Sequence, residues 1–288
     1  MATVAQWIEG ARPRTLPASG APVIVGSGAA FQLGHFEPLR ALLALAVALL
    51  LQIGVNYAND YSDGIRGTDR ERVGPVRLVG QGLAAPKRVK LAAYLSFAAA
   101  AIAGLVLAAL AGWWLILVGA AAIVAAWFYT GGSTPYGYLG FGELFVFVFF
   151  GLVATVGTEF VQAGTVNDAG LAGAVGIGML ITAILVVNNL RDIPGDRSAA
   201  KLTLAVRIGD RKTRALYSVL VVAGIVALAA AVGETPWALL LLLPAATSVP
   251  LLRAMIRGDS GRDLIKVLAG TGRLALIASA VTAVGLIR

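Results

Sequence analysis

Residues 39–63 read LRALLALAVALLLQIGVNYANDYSD. Up to Val55 the stretch is almost wholly apolar, and it then passes into a cluster of asparagine and aspartate. A helix of about 20 apolar residues is long enough to cross a bilayer. The stretch therefore predicts a membrane helix that carries an acidic cluster to one membrane surface.

Similar apolar runs recur along the whole chain of 288 residues, which is 58% apolar and has a mean hydropathy of +0.84. This composition excludes a water-soluble globule. We predict spans near residues 16–33, 39–57, 89–111, 113–129, 143–163, 170–190, 214–232, 236–252 and 265–286. The predicted fold class is all-α, a polytopic membrane bundle of about nine transmembrane helices with cytoplasmic helical loops. With no polar linker to divide it, the chain is expected to form one domain over residues 1–288.

The basic residues indicate how this bundle is oriented. Seven of the 23 lysines and arginines fall within residues 58–90 and seven within 191–214. With nine helices and the N-terminus inside, 20 of the 23 lie on the cytoplasmic side, which is the distribution that the positive-inside rule describes. We therefore predict a multi-pass protein of the cell inner or plasma membrane whose polar loops face the cytoplasm. The net charge of +8 marks topology, and we expect no nucleic-acid partner.

A second polar cluster, NNLRDIPGD at residues 188–196, ends the sixth predicted span. Its likeness to the first cluster predicts two related halves, helices 1–4 and 5–8, followed by a ninth helix. Pro194 and Gly195 are expected to break the helix between Asp192 and Asp196. Side chains three or four residues apart share a helix face, and such pairs occur in both clusters: Asn56 with Asp60, Asn59 with Asp63, Asn188 with Asp192, and Asp192 with Asp196.

The chemistry of these clusters points to a metal and a polyphosphate. Carboxylate and amide oxygens without cysteine or several histidines favour Mg²⁺, which proteins hold through one or two carboxylates and substrate phosphates. Basic side chains near the acids suit the outer phosphate oxygens; these are Arg66, Arg77, Arg191 and Lys201. For any single residue the simpler reading is a solvated loop charge. Two such clusters at matching helix ends favour a site.

The two clusters resemble the Asp-rich motifs of the UbiA superfamily of intramembrane prenyltransferases. The motifs are Asn59-Asp60-x-x-Asp63 with Asp69 beyond it, and Asp192-x-x-x-Asp196 with Lys201 and Thr203 after it. Three further strings, at residues 74–82, 129–132 and 188–192, are similar to the 1,4-dihydroxy-2-naphthoate branch of that superfamily, which serves menaquinone synthesis. One feature departs from the family pattern, because Ser133-Thr134-Pro135 stands where many relatives carry a lysine or arginine.

The resemblance implies a reaction in which Mg²⁺ bridges the acidic motifs to a polyprenyl diphosphate. The allylic C–O bond ionises, an aromatic acceptor captures the cation, and in the naphthoate branch the acceptor carboxylate is lost, which gives demethylmenaquinol. Besides the diphosphate and the aromatic acceptor, membrane lipid is the expected partner. No oligomeric state is predicted.

The same resemblance assigns roles to the individual residues. The implied metal ligands are Asn59, Asp63, Asp192 and Asp196. Asn56 and Asn188 are implied to support these ligands without binding the metal themselves. Asp60 and Asp69 are candidate ligands of a second ion, hydrogen-bond acceptors or a base for the acceptor. Tyr129 either stabilises the allylic cation or lies in an interfacial belt, and Arg14 either contacts the acceptor or phosphates or anchors the topology. The four basic residues named above are the implied diphosphate contacts, and Arg77 or the sixth loop would replace the charge missing near Thr134.

The same residues are compatible with other functions. A secondary transporter also combines repeats with polar residues at helix interruptions, although its site usually lies near the bilayer midplane. Within the enzyme class, 4-hydroxybenzoate or homogentisate would be alternative acceptors.

We expect the phenylalanines of residues 145–150 to face lipid and not a prenyl tunnel. Glu159 and Arg273, each inside a predicted helix, are expected to face the bundle or a cavity.

Overall fold

The computed structural model describes residues 2–67 and 76–287, and every regular element in these two ranges is helical. This confirms the predicted all-α class. Asp69, a predicted site residue, lies outside the described residues.

The α-helices are α1 (Val4–Gly10), α2 (Pro17–Gln32), α3 (Pro38–Arg66), α4 (Pro86–Ala111), α5 (Leu115–Phe128), α6 (Gly142–Val146), α7 (Ala154–Ala163), α8 (Asp168–Ser198), α9 (Leu204–Ile208), α10 (Asp210–Val232), α11 (Leu242–Arg257) and α12 (Asp263–Leu286). A π-helical segment, Phe147–Val153, joins α6 to α7. Short 3-10 segments cover Pro13–Thr15, Tyr136–Leu139 and Pro236–Leu241.

Each predicted span coincides with a helical stretch. Seven stretches among the described residues are long and apolar enough to cross a membrane. The helices α2 and α5 occupy the first and fourth predicted spans but have only 16 and 14 residues, fewer than the ~20 that a bilayer requires. The chain is thus a multi-pass membrane protein, and the count of nine is not confirmed.

Helix α3 carries the first acidic cluster within its own last turns. It begins at Pro38, a residue suited to the first helical position, and ends at Arg66, before Gly67, whose φ of 75° stops the helix. The prediction that the helix continues beyond the apolar span into the acidic cluster is confirmed. Since the cluster lies on the helix and not in the following loop, its side chains are held against the bundle.

The predicted helix break at Pro194 is wrong, because α8 continues through Pro194 to Ser198. A proline inside a helix removes one backbone hydrogen bond. The lost bond is the one to the Leu190 carbonyl, and the helix nevertheless continues for four residues beyond Pro194. Asp192 and Asp196 therefore lie on one continuous helix.

Helix α8 is the centre of the bundle and packs against α2, α10, α12 and the π-helical segment. Small residues permit the close approach that membrane helices use. A Cβ added to Gly176 would lie 2.8 Å from the carbonyl oxygen of Gly224 on α10, and one added to Gly151 would lie 2.5 Å from Gly178 Cα. On the outer surface, large apolar side chains such as Leu95 and Leu117 are exposed, as a lipid-facing surface requires.

Helix α3 packs mainly against α4, as α8 does against α10. The predicted relation between two four-helix halves stays a prediction. For the site, the important contact is that of Lys201, just beyond α8, with Asp63 near the C-terminal end of α3.

Candidate active site

A largely apolar cavity of about 320 Å³ lies inside the bundle. Small and aliphatic side chains, such as Ala48 on α3 and Ala122 on α5, form most of its wall. Near the C-terminal ends of α3 and α8 the wall becomes polar and includes Asn59, Asp63 and Lys201. This distribution suits an amphiphile with a charged head and a long apolar tail.

The two acidic clusters meet at Lys201. Its Nζ lies 3.7 Å from Asp63 Oδ2 on α3 and 3.9 Å from Asp196 Oδ1 on α8. All three side chains are buried, and charged groups in such surroundings require close partners. The structure thus brings the two predicted half-sites together around one cation.

Asn59 and Asp63 lie one turn apart on α3 and both line the cavity. Thr130 Oγ1 donates to Asn59 Oδ1 over 2.7 Å, and the Tyr138 hydroxyl donates to Asp63 Oδ1 over 2.7 Å. Both donors come from the segment between α5 and α6. These bonds fix the orientation of two predicted metal-binding side chains.

Asp60 faces a different neighbour from Asp63. Its Oδ2 accepts the backbone N–H of Leu78 over 2.7 Å, and its Oδ1 accepts that of Val79 over 3.0 Å. The side chain is 1% exposed and is absent from the cavity wall among the described residues. Asp60 therefore holds the segment that contains Arg77, and its predicted part in the chemistry stays a prediction.

Asp192 forms an ion pair with the residue before it. Arg191 Nε donates to Asp192 Oδ1 over 2.7 Å, and a terminal nitrogen donates to Oδ2 over 2.8 Å. The same guanidinium donates to Asn188 Oδ1 over 2.9 Å. Asn188 and its neighbour Asn189 line the cavity, whereas Arg191 and Asp192 do not.

Asn56, the other predicted supporting residue, secures the chain ahead of α2. Its Nδ2 donates to the Ala11 carbonyl over 2.8 Å and to Thr15 Oγ1 over 3.1 Å. Gln52 Nε2 donates to Asn56 Oδ1 over 3.3 Å. Asn56 thus links the N-terminal segment to the polar end of the cavity.

The predicted diphosphate contacts divide into two groups. Arg77, which is 5% exposed, and Lys201 line the cavity. Arg66 is exposed, and its guanidinium donates to the backbone carbonyls of Thr130 and Gly132. Arg66 therefore brings positive charge to the loop that lacks the expected basic residue, while Arg191 is occupied by Asp192.

Arg14 is exposed and lies outside the cavity wall. Arg12, two residues earlier, lines the cavity instead. It has a left-handed backbone, with φ of 55°, at the start of the 3-10 segment Pro13–Thr15, and this conformation is uncommon outside glycine. The sequence offered no signal to separate the two arginines.

Aromatic rings line the cavity next to its polar end. Tyr129 and Tyr136 are in edge-to-face contact with ring centroids 5.6 Å apart, and Tyr136 stacks on Phe145 at 4.0 Å. Burial raises the pKa of the Tyr136 hydroxyl above its ordinary value. Its ring is therefore a neutral phenol at physiological pH.

The expectation that the phenylalanines of residues 145–150 face lipid is wrong for three of the four. Phe145, Phe149 and Phe150 line the cavity. They belong to α6 and to the π-helical segment after it. A π-helical turn contains an extra residue, which shifts the side chains within it, here Phe149 and Phe150, relative to an α-helical face.

The two charged residues inside predicted helices have different surroundings. Glu159 is fully buried, as expected, and its Oε1 accepts the backbone N–H of Asn167 just before α8. Arg273 on α12 is exposed, so the expectation that it faces the bundle is wrong. Neither residue lines the cavity.

Sequence reasoning missed Thr130, Tyr138 and Asn189 as parts of the site. Thr130 and Asn189 lie inside strings that resemble the family, beside residues that were assigned. Tyr138 is one tyrosine in a glycine-rich segment and has no charge or spacing signal. Its importance becomes visible only when that segment is placed next to α3.

The donor set suits a hard divalent cation, because the side chains that line the polar end offer carboxylate and amide oxygens. Within residues 2–67 and 76–287, no group of three Asp, Glu, His or Cys side chains forms a ready-made metal site. In proteins, Mg²⁺ commonly takes part of its coordination from substrate phosphates. The position of Lys201 between Asp63 and Asp196 shows that a positive charge fits between the two clusters.

The fold and the site define a class: a helical membrane protein with an apolar cavity that opens at one end onto paired acidic and basic side chains. Residues 19–279 match the UbiA prenyltransferase family. This chain belongs to that family.

Two relatives illustrate the similarity in sequence. The 1,4-dihydroxy-2-naphthoate octaprenyltransferase of Mycobacterium tuberculosis is 56% identical over 278 residues, which cover 96% of this chain and 95% of that relative. The protein of the same name from Escherichia coli is 42% identical and covers 77% of this chain and 75% of that relative.

A solved structure shows the same fold. A UbiA homolog from Archaeoglobus fulgidus, bound to GPP and Mg²⁺, superposes with a TM-score of 0.71 over 98% of this chain and 99% of that chain. The identity is 14%, so this likeness establishes the architecture alone.

Proposed function

We propose that this protein transfers a polyprenyl group from a prenyl diphosphate to 1,4-dihydroxy-2-naphthoate, with loss of the acceptor carboxylate, in menaquinone synthesis. The observation that carries the prenyl diphosphate chemistry is the polar end of the cavity, which Asp63 and Lys201 line, with Asp196 of α8 behind Lys201 as its second partner. The acceptor is supported by relatives of that name at 56% and 42% identity.

The residues divide the work between the head and the tail of the donor. Asn59, Asp63 and Asp196 would hold Mg²⁺, and Arg77 and Lys201 would bind outer oxygens of the diphosphate. When bound, Mg²⁺ supplies Lewis-acid stabilisation of the leaving group. The apolar wall takes the prenyl tail and keeps water away from the allylic carbon, where water would otherwise compete with the acceptor.

In the proposed reaction the allylic C–O bond breaks with its electron pair going to the diphosphate. The ring of Tyr129 presents a π face to the cation, a recognised source of stabilisation. A new C–C bond forms to the naphthalene ring, and the acceptor carboxylate leaves as CO₂. We infer from the basic loops that this end of the cavity faces the cytoplasm.

The proposal is tested with purified protein in lipid nanodiscs, radiolabelled octaprenyl diphosphate and two acceptors. We expect Mg²⁺-dependent formation of a decarboxylated prenyl naphthoquinol from dihydroxynaphthoate and none from 4-hydroxybenzoate. EDTA should abolish turnover, and added Mg²⁺ should restore it. Equal turnover of both acceptors would overturn the acceptor assignment. An intact diphosphate ester that crosses the membrane would favour the transporter.

The length of prenyl tail that the cavity accepts can be tested at Gly119. Gly119 on α5 lines the cavity, and a Cβ added there would meet no atom within 4 Å. Gly119→Leu should therefore narrow the cavity, and its Cβ would meet no neighbouring atom. We expect turnover of octaprenyl diphosphate to fall about tenfold more than that of geranyl diphosphate, since a few methylenes in an apolar pocket change selectivity by this order. Gly119→Ala is the matched control and should retain both activities. An equal fall with both donors would show that the tail does not reach residue 119.

A further inference from the structure

Tyr138 contacts three of the predicted site residues at once. Its hydroxyl donates to Asp63 Oδ1 over 2.7 Å. Its ring centroid lies 4.9 Å from Lys201 Nζ and 5.3 Å from Arg66 Cζ. No other aromatic side chain among the described residues contacts both an acidic cluster and two of the basic residues.

The hydroxyl determines how Asp63 is presented. A hydrogen bond from a phenol to a carboxylate is short and charge-assisted, and it holds Oδ1 on the side of the 3-10 segment Tyr136–Leu139. The other oxygen, Oδ2, is then directed to the position that Lys201 occupies between the two clusters. Partners of this kind commonly orient carboxylates that bind metals.

The ring has a separate effect on the basic side chains. Cations within about 6 Å of a ring centroid are attracted to its face, so the ring stabilises Lys201 and Arg66 near each other despite their like charge. Lys201 is also tied to α8, since its backbone N–H donates to the Asp196 carbonyl over 2.8 Å. Tyr138 therefore connects α3 to the end of α8.

The backbone beneath Tyr138 is itself well anchored. Gly137 N–H donates to the Tyr129 carbonyl over 3.0 Å, and the Tyr136 hydroxyl donates to the Ala125 carbonyl over 2.8 Å. Gly140 ends the segment with φ of 83°, a left-handed conformation that suits glycine. These bonds hold the segment that carries Tyr138 against the C-terminal end of α5.

We propose that Tyr138 is a positioning residue that orients Asp63 and Lys201 for a divalent cation and the diphosphate. This inference rests on the proposed function and adds a residue to it. The hydroxyl acts through Asp63, and the ring acts through Lys201. The two contributions are separable, because Tyr138→Phe removes only the hydroxyl whereas Tyr138→Leu removes the hydroxyl and the ring face.

The test measures binding as well as turnover. Mn²⁺ binding is followed by electron paramagnetic resonance in the presence of inorganic pyrophosphate and without acceptor. We expect Tyr138→Phe to weaken Mn²⁺ binding about tenfold, the size of effect seen for partners of metal ligands, with the KM for donor nearly unchanged. Tyr138→Leu should weaken Mn²⁺ equally and raise the KM for donor several-fold. Tyr94→Phe is the matched control, since Tyr94 lies beside Lys90 on α4 and outside the site.

Unchanged Mn²⁺ affinity in Tyr138→Phe would overturn the inference, as would loss of binding in step with a lower melting temperature in both variants. These outcomes are distinct from failure of the proposed function. If the wild-type protein forms no prenylated product, the proposed function fails. If the wild type is active and both variants match it, only the role of Tyr138 fails.

Discussion

Asp63→Asn should lower kcat by about a hundredfold or more, the loss typical when a preorganised electrostatic contact to developing charge is removed. Asparagine has nearly the same shape, and its amide oxygen still accepts from the Tyr138 hydroxyl, so the fold should persist. What disappears is the negative charge that faces Lys201. The expected defect is therefore in metal-dependent turnover and not in folding.

The measurement compares kcat and melting temperature with those of Asp210→Asn. Asp210 is a suitable control because its exposed carboxylate lies in the first turn of α10 and outside the cavity wall. We expect that variant to keep its activity, since asparagine retains an oxygen that can accept from Arg214. Asp196→Asn should resemble Asp63→Asn, and the double variant should lose little more than the worse single one, because residues that act as a unit are not additive. More than half of wild-type turnover in Asp63→Asn would exclude Asp63 as a metal ligand.

The sequence predicted the elements of the fold well and their mutual contacts poorly. Apolar runs are a property of each segment alone, so the stretches near 89–111 and 214–232 coincide closely with α4 and α10. The end of α8 was misplaced because a proline usually accompanies a helix end, whereas α8 continues through Pro194 to Ser198. The polar residues near the end of α3 are helical, as predicted, and find partners inside the bundle.

Within the site, helix geometry explains both what was predicted and what was not. Spacing of three or four residues correctly placed Asn59 and Asp63 on one face of α3. Asp60 is three residues before Asp63, yet successive residues turn by about 100° around a helix, which leaves the two carboxylates about 60° apart. That angle is enough to direct Asp63 into the cavity and Asp60 to the segment of Leu78.

The spacing of residues along the chain did not predict contacts between distant segments. Lys201 meets Asp63 because the residues just after α8 approach the end of α3, and their separation along the chain gives no hint of this. The inward rings of Phe149 and Phe150 lie in a π-helical segment, which a search for α-helical periodicity does not detect. Arg12 lines the cavity and Arg14 does not, because a left-handed residue changes the direction of the backbone between α1 and α2.

The carboxylate of Asp60 makes a contribution to stability that Asp63 does not. Asp60→Ala should lower the free energy of unfolding by about 2 kcal/mol, because it leaves the buried N–H groups of Leu78 and Val79 without an acceptor. The segment from Val76 to Val79 would then be free to shift, and Arg77 with it. We therefore expect the KM for the prenyl diphosphate to rise more than kcat falls, since Arg77 lines the cavity.

A graded comparison separates this positional role from a direct chemical one. Asp60→Asn keeps one acceptor oxygen, so it should be intermediate between the wild type and Asp60→Ala in both stability and KM. Asp263→Ala is the matched control, since its carboxylate is exposed beside Lys266, and it should change neither quantity. If Asp60 were instead the base for the acceptor, both Asp60 variants would lose kcat to the same large extent at unchanged stability. Denaturation in detergent together with donor kinetics distinguishes the two patterns, because only the positional role links the loss of binding to the loss of folding free energy.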